Sequence, residues 1–215
     1  MANLAGSGYF TEPASGPGRG VLVLHSWWGL TPFFRALCDR LAALGYSALA
    51  PDLFGGHQPK TPDEAEATLA MVDPNDNAAL VLSSTQALRA RSNDPRKPIG
   101  VIGFSSGASW ALWLSARSPS EVGAVTAFYG TQNIDFIDAS CAYLGHYAEF
   151  DSLVSDDEVV LLEAHLNLVG CDVVFHRYPG TAHWFFEDDQ DLSYDHAAAT
   201  LAWQRTTEFL TERLT

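Results

Sequence analysis

The chain has 215 residues, 47% hydrophobic and 18% charged. That length and apolar content exclude a disordered chain and suit a core that needs no disulfide or metal staples. Lys and Arg number 12 against 26 Asp and Glu, a net charge of −14, which excludes the clustered cations needed to grip a nucleic-acid backbone or an anionic membrane surface.

Residues 1–19 are rich in Gly, Ser and Pro and read as loop, with at most a short edge strand near Tyr9–Thr11. They lack a basic stretch followed by an apolar run. Residues 20–25 form a continuous apolar run, the pattern of a strand buried on both faces of a parallel sheet. A helix follows over 33–44, where Phe33, Leu37, Leu41 and Leu44 recur at helical spacing and Gly45 stands just past the end. Residues 47–51 are the next strand. Helices are predicted over 63–72 and 78–91, separated by Asp73-Pro74. Residues 98–104 are a strand, 105–116 a helix, 122–130 and 141–148 strands, 155–169 a helix, 173–178 a sixth strand and 194–213 the last helix. Strands alternate with helices throughout, so the expected fold is α/β, a mostly parallel sheet with helices on both faces, carried by one domain over 20–215. No apolar run approaches the roughly 18 residues that span a bilayer. Cys38, Cys141 and Cys171 are too scattered for a disulfide framework or a zinc site. These features predict a cytoplasmic protein, a monomer or small homo-oligomer, with no nucleic-acid or membrane partner.

The segment Gly103-Phe104-Ser105-Ser106-Gly107 matches G-x-S-x-G between a strand and a helix. Glycines two before and two after Ser105 let neighbouring backbone approach without a Cβ clash, so a sharp turn can project the serine at the carboxyl edge of the sheet. The N-terminus of the following helix offers free N–H groups to a developing negative charge. Ser106 competes as nucleophile, but Ser105 is centred between the glycines. The chain has seven histidines. His165 and His176 fall inside regular elements, whereas His183 follows the sixth strand in a loop, where α/β sheets place their chemistry. His183 is the expected base. The acid is expected between residues 105 and 183, just past the fifth strand, where Glu149 and Asp151 compete; Asp151 lies further out and is preferred. The oxyanion donors are expected to be the backbone N–H groups of Ser106 and, from the loop His25-Ser-Trp-Trp-Gly29, of Trp27. His25 itself reads as a polar strand end with a structural hydrogen bond.

These pieces, VLVLHSWWGL, ALAPDLFGG, VIGFSSGA, AFYG, LGHYAEFD and YPGTAHWF in that order, resemble the dienelactone hydrolase family of the α/β-hydrolase fold over roughly Gly20 to Leu214. The resemblance implies a fold without a large cap domain and no metal or organic cofactor. It carries Ser105, Asp151 and His183 onto the family's nucleophile, acid and base, and Trp27 and Ser106 onto its oxyanion donors. The family usually has Cys in the elbow followed by paired glycines, and a Glu in the first-strand loop. Here Ser105, Gly107-Ala108 and Ser26 stand at those places, which points to an ordinary Ser–His–Asp relay. The arginines with which the family binds a substrate carboxylate have no clear counterparts: residues 63–72 contain none, Arg35 and Arg40 read as solvent-facing, and Arg177 is open.

Aromatic residues crowd the loops expected to rim the site. Trp28, Phe54, Tyr129 and Trp184 are the candidate substrate contacts, with Tyr129 placed so that its hydroxyl reaches substrate or a member of the relay. The expectation is a serine hydrolase of a small, neutral ester or lactone. Acyl transfer to another acceptor shares the same acyl-enzyme, and a non-catalytic ligand-binding module is the reading if the three residues are misaligned.

Overall fold

The computed structural model describes residues 8–214; the loop expected for residues 1–7 lies outside them. The chain groups into two compact units, Met1–Ile99 and Gly100–Thr215.

In the first unit, β1 (Gly8–Thr11), β2 (Arg19–Leu24) and β3 (Tyr46–Pro51) lie in the order β1-β3-β2. β2 and β3 are parallel, with Val21 opposite Ala48, and β1 is antiparallel to β3. Val21, Leu22, Val23 and Leu24 are all fully buried. Successive strand residues point to opposite faces, so four in a row buried means both faces are covered, as the apolar run predicted. Helices α1 (Pro32–Ala43) and α3 (Pro74–Arg91) pack on these strands, and α2 (Pro62–Met71) precedes α3. The start of α3 differs from the sequence reading, which began that helix at residue 78. Asp73 is its cap, accepting the Asn75 N–H at 2.8 Å. Pro74 sits at the first helical position, where a proline forfeits no hydrogen bond.

The second unit orders β4 (Ile99–Phe104), β5 (Val122–Phe128), β6 (Ala142–Phe150) and β7 (Val173–Ala182) as β4-β5-β6-β7. Pairing of β5 with β6 and of β6 with β7 is parallel. Helices α4 (Ser106–Arg117) and α6 (His196–Arg213) pack on β5, and α5 (Asp156–Leu168) on β7.

β7 runs four residues beyond the predicted end at Tyr178, and the extension aligns the site. Ala148 pairs with Tyr178, then the register slips so that Phe150 pairs with Ala182. The extra residues of β7, around Pro179 and Gly180, form a bulge. Proline is tolerated in strands at such places, and Gly180 adopts φ 78°. Its N–H donates to Glu149 Oε2 at 2.7 Å, which ties the bulge to β6. Because Phe150 and Ala182 are partners, the next residue of each strand, Asp151 and His183, leaves the sheet side by side.

A second histidine is buried in the middle of this unit. Arg205 donates to the Tyr178 hydroxyl at 3.2 Å, and His146 Nδ1 lies 2.7 Å from the same hydroxyl. The Thr206 hydroxyl donates to Ala202 O and lies 3.0 Å from His146 Nε2. Both chains are satisfied when Tyr178 donates to Nδ1 and Nε2–H donates to Thr206, which is neutral imidazole. Burial, with nearby His176 and Arg205, holds His146 well below its ordinary pKa, and burial also lowers His25 and His176. A histidine whose folded pKa is depressed leaves stability unchanged above its unfolded value near ~6.5 and removes it as pH falls below. Melting temperature is therefore expected to be flat between about pH 6.5 and 8, above which the buried Cys38, Cys141 and Tyr129, whose folded pKa values are raised, remove stability in turn. Below about pH 6.5, each of the two fully buried histidines, His146 and His25, should remove up to roughly 1.4 kcal/mol per pH unit. Thermal melts across that range check this, and His146→Gln should flatten the acid limb; an equal slope in both proteins would exclude His146 as its source.

Candidate active site

β4 ends at Phe104 and α4 begins at Ser106, so the chain must turn on one residue, Ser105. That residue has φ 51° and ψ −116°, outside the regions open to most side chains, at a cost of about 1–3 kcal/mol. Hydrogen bonds hold it there: Ser105 N–H donates to Phe128 O and Ala108 N–H to Ser105 O, each at 2.9 Å. Two glycines make room. A Cβ on Gly103 would meet the Gly107 carbonyl and lie 2.6 Å from Ala108 Cα; one on Gly130 would lie 2.5 Å from Ser105 O. Gly103→Ala is therefore expected to lower stability by about 1–3 kcal/mol and activity with it, since backbone here has nowhere to move; denaturant titration and ester turnover on one preparation check both.

His183 Nε2 lies 2.8 Å from Ser105 Oγ, and His183 Nδ1 lies 2.8 Å from each oxygen of Asp151. Leu153 N–H and Val154 N–H also donate to Asp151 Oδ1, at 2.9 and 3.0 Å. The side chains of His183 and Asp151 are 3% and 6% exposed, so water does not compete for their hydrogen bond. The three residues chosen from sequence are thus brought together in one chain of contacts, and the misaligned arrangement does not occur. Glu149, the rival carboxylate, faces the bulge instead. Ser106 opens α4 with its backbone N–H in the first turn, where helix amides have no intrahelical partner.

The Tyr129 hydroxyl departs from expectation. It donates to Glu187 Oε1 at 2.7 Å, not to a member of the relay. Burial, and then the Glu187 carboxylate, push this phenol well above its ordinary pKa, which keeps it a donor. Its ring instead stands 4.8 Å from the His183 ring, centroid to centroid, while Trp184 meets His183 edge-on at 4.7 Å. Tyr129 and Trp184 both have positive φ, 38° and 66°, so the two residues that flank His183 are themselves held in strained turns. Glu187, fully buried, was not singled out in the sequence; an acidic residue following an aromatic run carries no signal of a partner 58 positions upstream.

Within the first unit, Trp27 and Trp28 are buried and meet edge-on at 5.4 Å, and Phe54 stands edge-on to His25 at 5.0 Å. His25 is structural, as expected: Leu53 N–H donates to its Nε2 at 2.9 Å, leaving Nδ1–H to donate to Ser26 O. Arg35 and Arg40 are exposed. In the second unit Arg177 is exposed and pairs with Asp156.

Cys38 and Cys141 are buried, and burial pushes both thiols up to about 12, so neither is a ready nucleophile. Among the described residues no cluster of His, Cys, Asp or Glu is arranged to hold a metal ion, and no helix is long and apolar enough to cross a membrane.

The profile of the dienelactone hydrolase family matches residues 7–214. Protein usf of Aquifex pyrophilus is 34% identical over 220 residues that cover 97% of this chain and 94% of that one. The carboxymethylenebutenolidase of Rhodococcus opacus is 27% identical over 94% of this chain and 84% of its own. The crystal structure of a dienelactone hydrolase-like promiscuous phosphotriesterase from metagenomic libraries superposes with TM-score 0.84 at 22% identity, covering 97% of this chain and 92% of that one. At that identity the match speaks to the fold alone, and the fold is the α/β-hydrolase architecture expected from the sequence.

Proposed function

The chain belongs to the dienelactone hydrolase family and hydrolyses carboxylic esters or lactones, and on that premise we propose that it does so through an acyl-enzyme on Ser105, with His183 as base and Asp151 as its orienting acid. The observation that carries this reading is the unbroken Asp151–His183–Ser105 hydrogen-bond chain at the start of α4. The Asp151 carboxylate accepts a hydrogen bond from His183 Nδ1–H, so Nε2 is the nitrogen left to accept the Ser105 proton. Ser105 Oγ attacks the acyl carbon and His183 takes the proton. His183 then gives that proton to the departing alcohol oxygen, and water clears the acyl group by the reverse path. The tetrahedral oxyanion would be held by the Ser106 N–H and, by its place in the first-strand loop, the Trp27 N–H. The rings of Tyr129 and Trp184 wall His183 and are proposed to contact substrate, as are Trp28 and Phe54 from their positions in sequence.

The substrate is proposed to be small and neutral. A carboxylate is best recognised by a bidentate Arg, and Arg177 already pairs with Asp156. The test joins two measurements. A fluorophosphonate probe should label one site, and peptide mass spectrometry should find it on Ser105. A neutral ester should also exceed a matched carboxylate-bearing one in kcat/KM. Labelling elsewhere would remove the serine relay; a tenfold preference for the anion, abolished by Arg177→Ala, would remove the neutral-substrate reading.

A further inference from the structure

The space around the reacting groups is small. The cavity that contains Ser105 and His183 measures about 250 Å³ among second-unit residues, below the roughly 300–1,000 Å³ that encloses a typical small ligand. A second space of about 550 Å³ adjoins it, and Thr131 and Glu158 line both. Its floor is one face of α5. Glu158, Leu161, Leu162, His165 and Leu168 recur at helical spacing along it. A surface helix turns such a stripe inward, yet only Leu162 is buried, while Leu161 is 69% and Leu168 84% exposed. The opposite wall is the loop after β5, with Gln132 and Asn133. This apolar stripe therefore leads directly out of the Ser105 cavity.

We propose that this groove is the subsite for the alcohol limb of the ester, that it takes an elongated apolar alcohol, and that Glu158 at its junction with the Ser105 cavity disfavours an anionic one. The proposal rests on the acyl-enzyme reading above. The limb is assigned from position. Leu153 and Val154, whose N–H groups hold Asp151, line the Ser105 cavity beside Glu158. That is the side of the acid and the imidazole, and His183 must deliver its proton to the alcohol oxygen. Continuity with the reacting cavity is what favours a substrate limb over another macromolecule. Glu158 stays anionic because the Ser155 hydroxyl and N–H donate to its Oε2 at 2.7 and 2.8 Å, which hold its pKa below the ordinary value.

The experiment compares hexyl acetate with its isomer ethyl hexanoate, and both with ethyl acetate, by pH-stat. A fully buried methylene is worth roughly fourfold. A half-open groove should therefore give hexyl acetate an advantage of about tenfold in kcat/KM over ethyl acetate, expressed mostly in KM, and a preference over ethyl hexanoate. Leu161→Asp should collapse the hexyl-to-ethyl ratio to about twofold or less. Val160→Asp, one residue along the same helix and outside the groove, should keep the wild-type ratio. Glu158→Gln retains a side chain able to cap α5. It should raise turnover of 6-acetoxyhexanoate relative to hexyl acetate by roughly two- to fivefold, the scale of an exposed charge interaction. Failure to hydrolyse even p-nitrophenyl acetate would sink the acyl-enzyme reading. Hydrolysis of that ester with no gain for hexyl acetate, or with ethyl hexanoate preferred, overturns the subsite alone. If Leu161→Asp leaves the ratio intact but turns a dimer into a monomer on sedimentation, the stripe is an interface between copies and the subsite is overturned.

Discussion

Ser105→Ala is expected to lower kcat/KM for any good ester by roughly 10³-fold or more, with a melting temperature close to that of the parent protein. The size follows from the loss of the covalent route: without Oγ, His183 has no hydroxyl to activate, and only the oxyanion donors and binding remain. The fold should survive because the elbow is held by backbone. The Ser105 N–H bond to Phe128 O and the Ala108 N–H bond to Ser105 O do not involve the side chain. Alanine carries the same Cβ as serine, so the left-handed φ of 51° costs it about what it costs serine. Steady-state kinetics beside a thermal melt decides the matter. Near-parental kcat would dismiss Ser105 as nucleophile; a collapsed melt would mean that the hydroxyl has a structural part that the geometry does not reveal. Ser105→Cys tests a different point. It installs the nucleophile usual in the family but leaves Ser26 where the family carries Glu, so substantial activity is not expected.

The positions of Ser105, Asp151 and His183 were legible because each is set by local chemistry that leaves a mark in sequence. A turn on a single residue needs glycines at fixed offsets, and Gly103 and Gly107 supply them. Strands buried on both faces read as unbroken apolar runs, as 20–25 and 98–104 do, so the ends at which loops must begin were visible. What stayed hidden depends on register and on distance in the chain. Period-two patterning cannot show that β7 continues past Pro179, because proline and glycine ordinarily end a strand. Only the slip between the Ala148 and Phe150 pairings makes room for them. That slip separates the two carboxylates: it puts Glu149 on the bulge and Asp151 beside His183. The Tyr129 hydroxyl was expected near the substrate because the strand end points that way. Its partner, Glu187, is buried through tertiary packing that no short motif records. The α5 stripe went unnoticed for the opposite reason. Leu161, His165 and Leu168 look like an ordinary core face, and only the fold reveals that two of them face outward.

Asp151→Asn is expected to cost about 10³- to 10⁴-fold in kcat, whereas Glu149→Gln should cost less than about tenfold. The difference can be argued atom by atom. Asp151 Oδ1 accepts from Leu153 N–H and Val154 N–H as well as from His183. In the asparagine variant those two backbone donors still require an oxygen, so the amide oxygen stays with them and the amide NH₂ turns toward the imidazole. An NH₂ donates, so Nδ1 must accept, and the ring proton moves to Nε2. Nε2–H then points at Ser105 Oγ, and the atom meant to take the hydroxyl proton already carries one. The protein should fold, because every hydrogen bond has a replacement, and yet lack a base. At position 149 the logic reverses. The glutamate accepts one bond, from Gly180 N–H; glutamine offers the same oxygen and keeps the bulge tied. Parallel measurement of kcat and melting temperature in the two variants checks this, and greater damage from Glu149→Gln would mean that the wrong carboxylate has been assigned to His183.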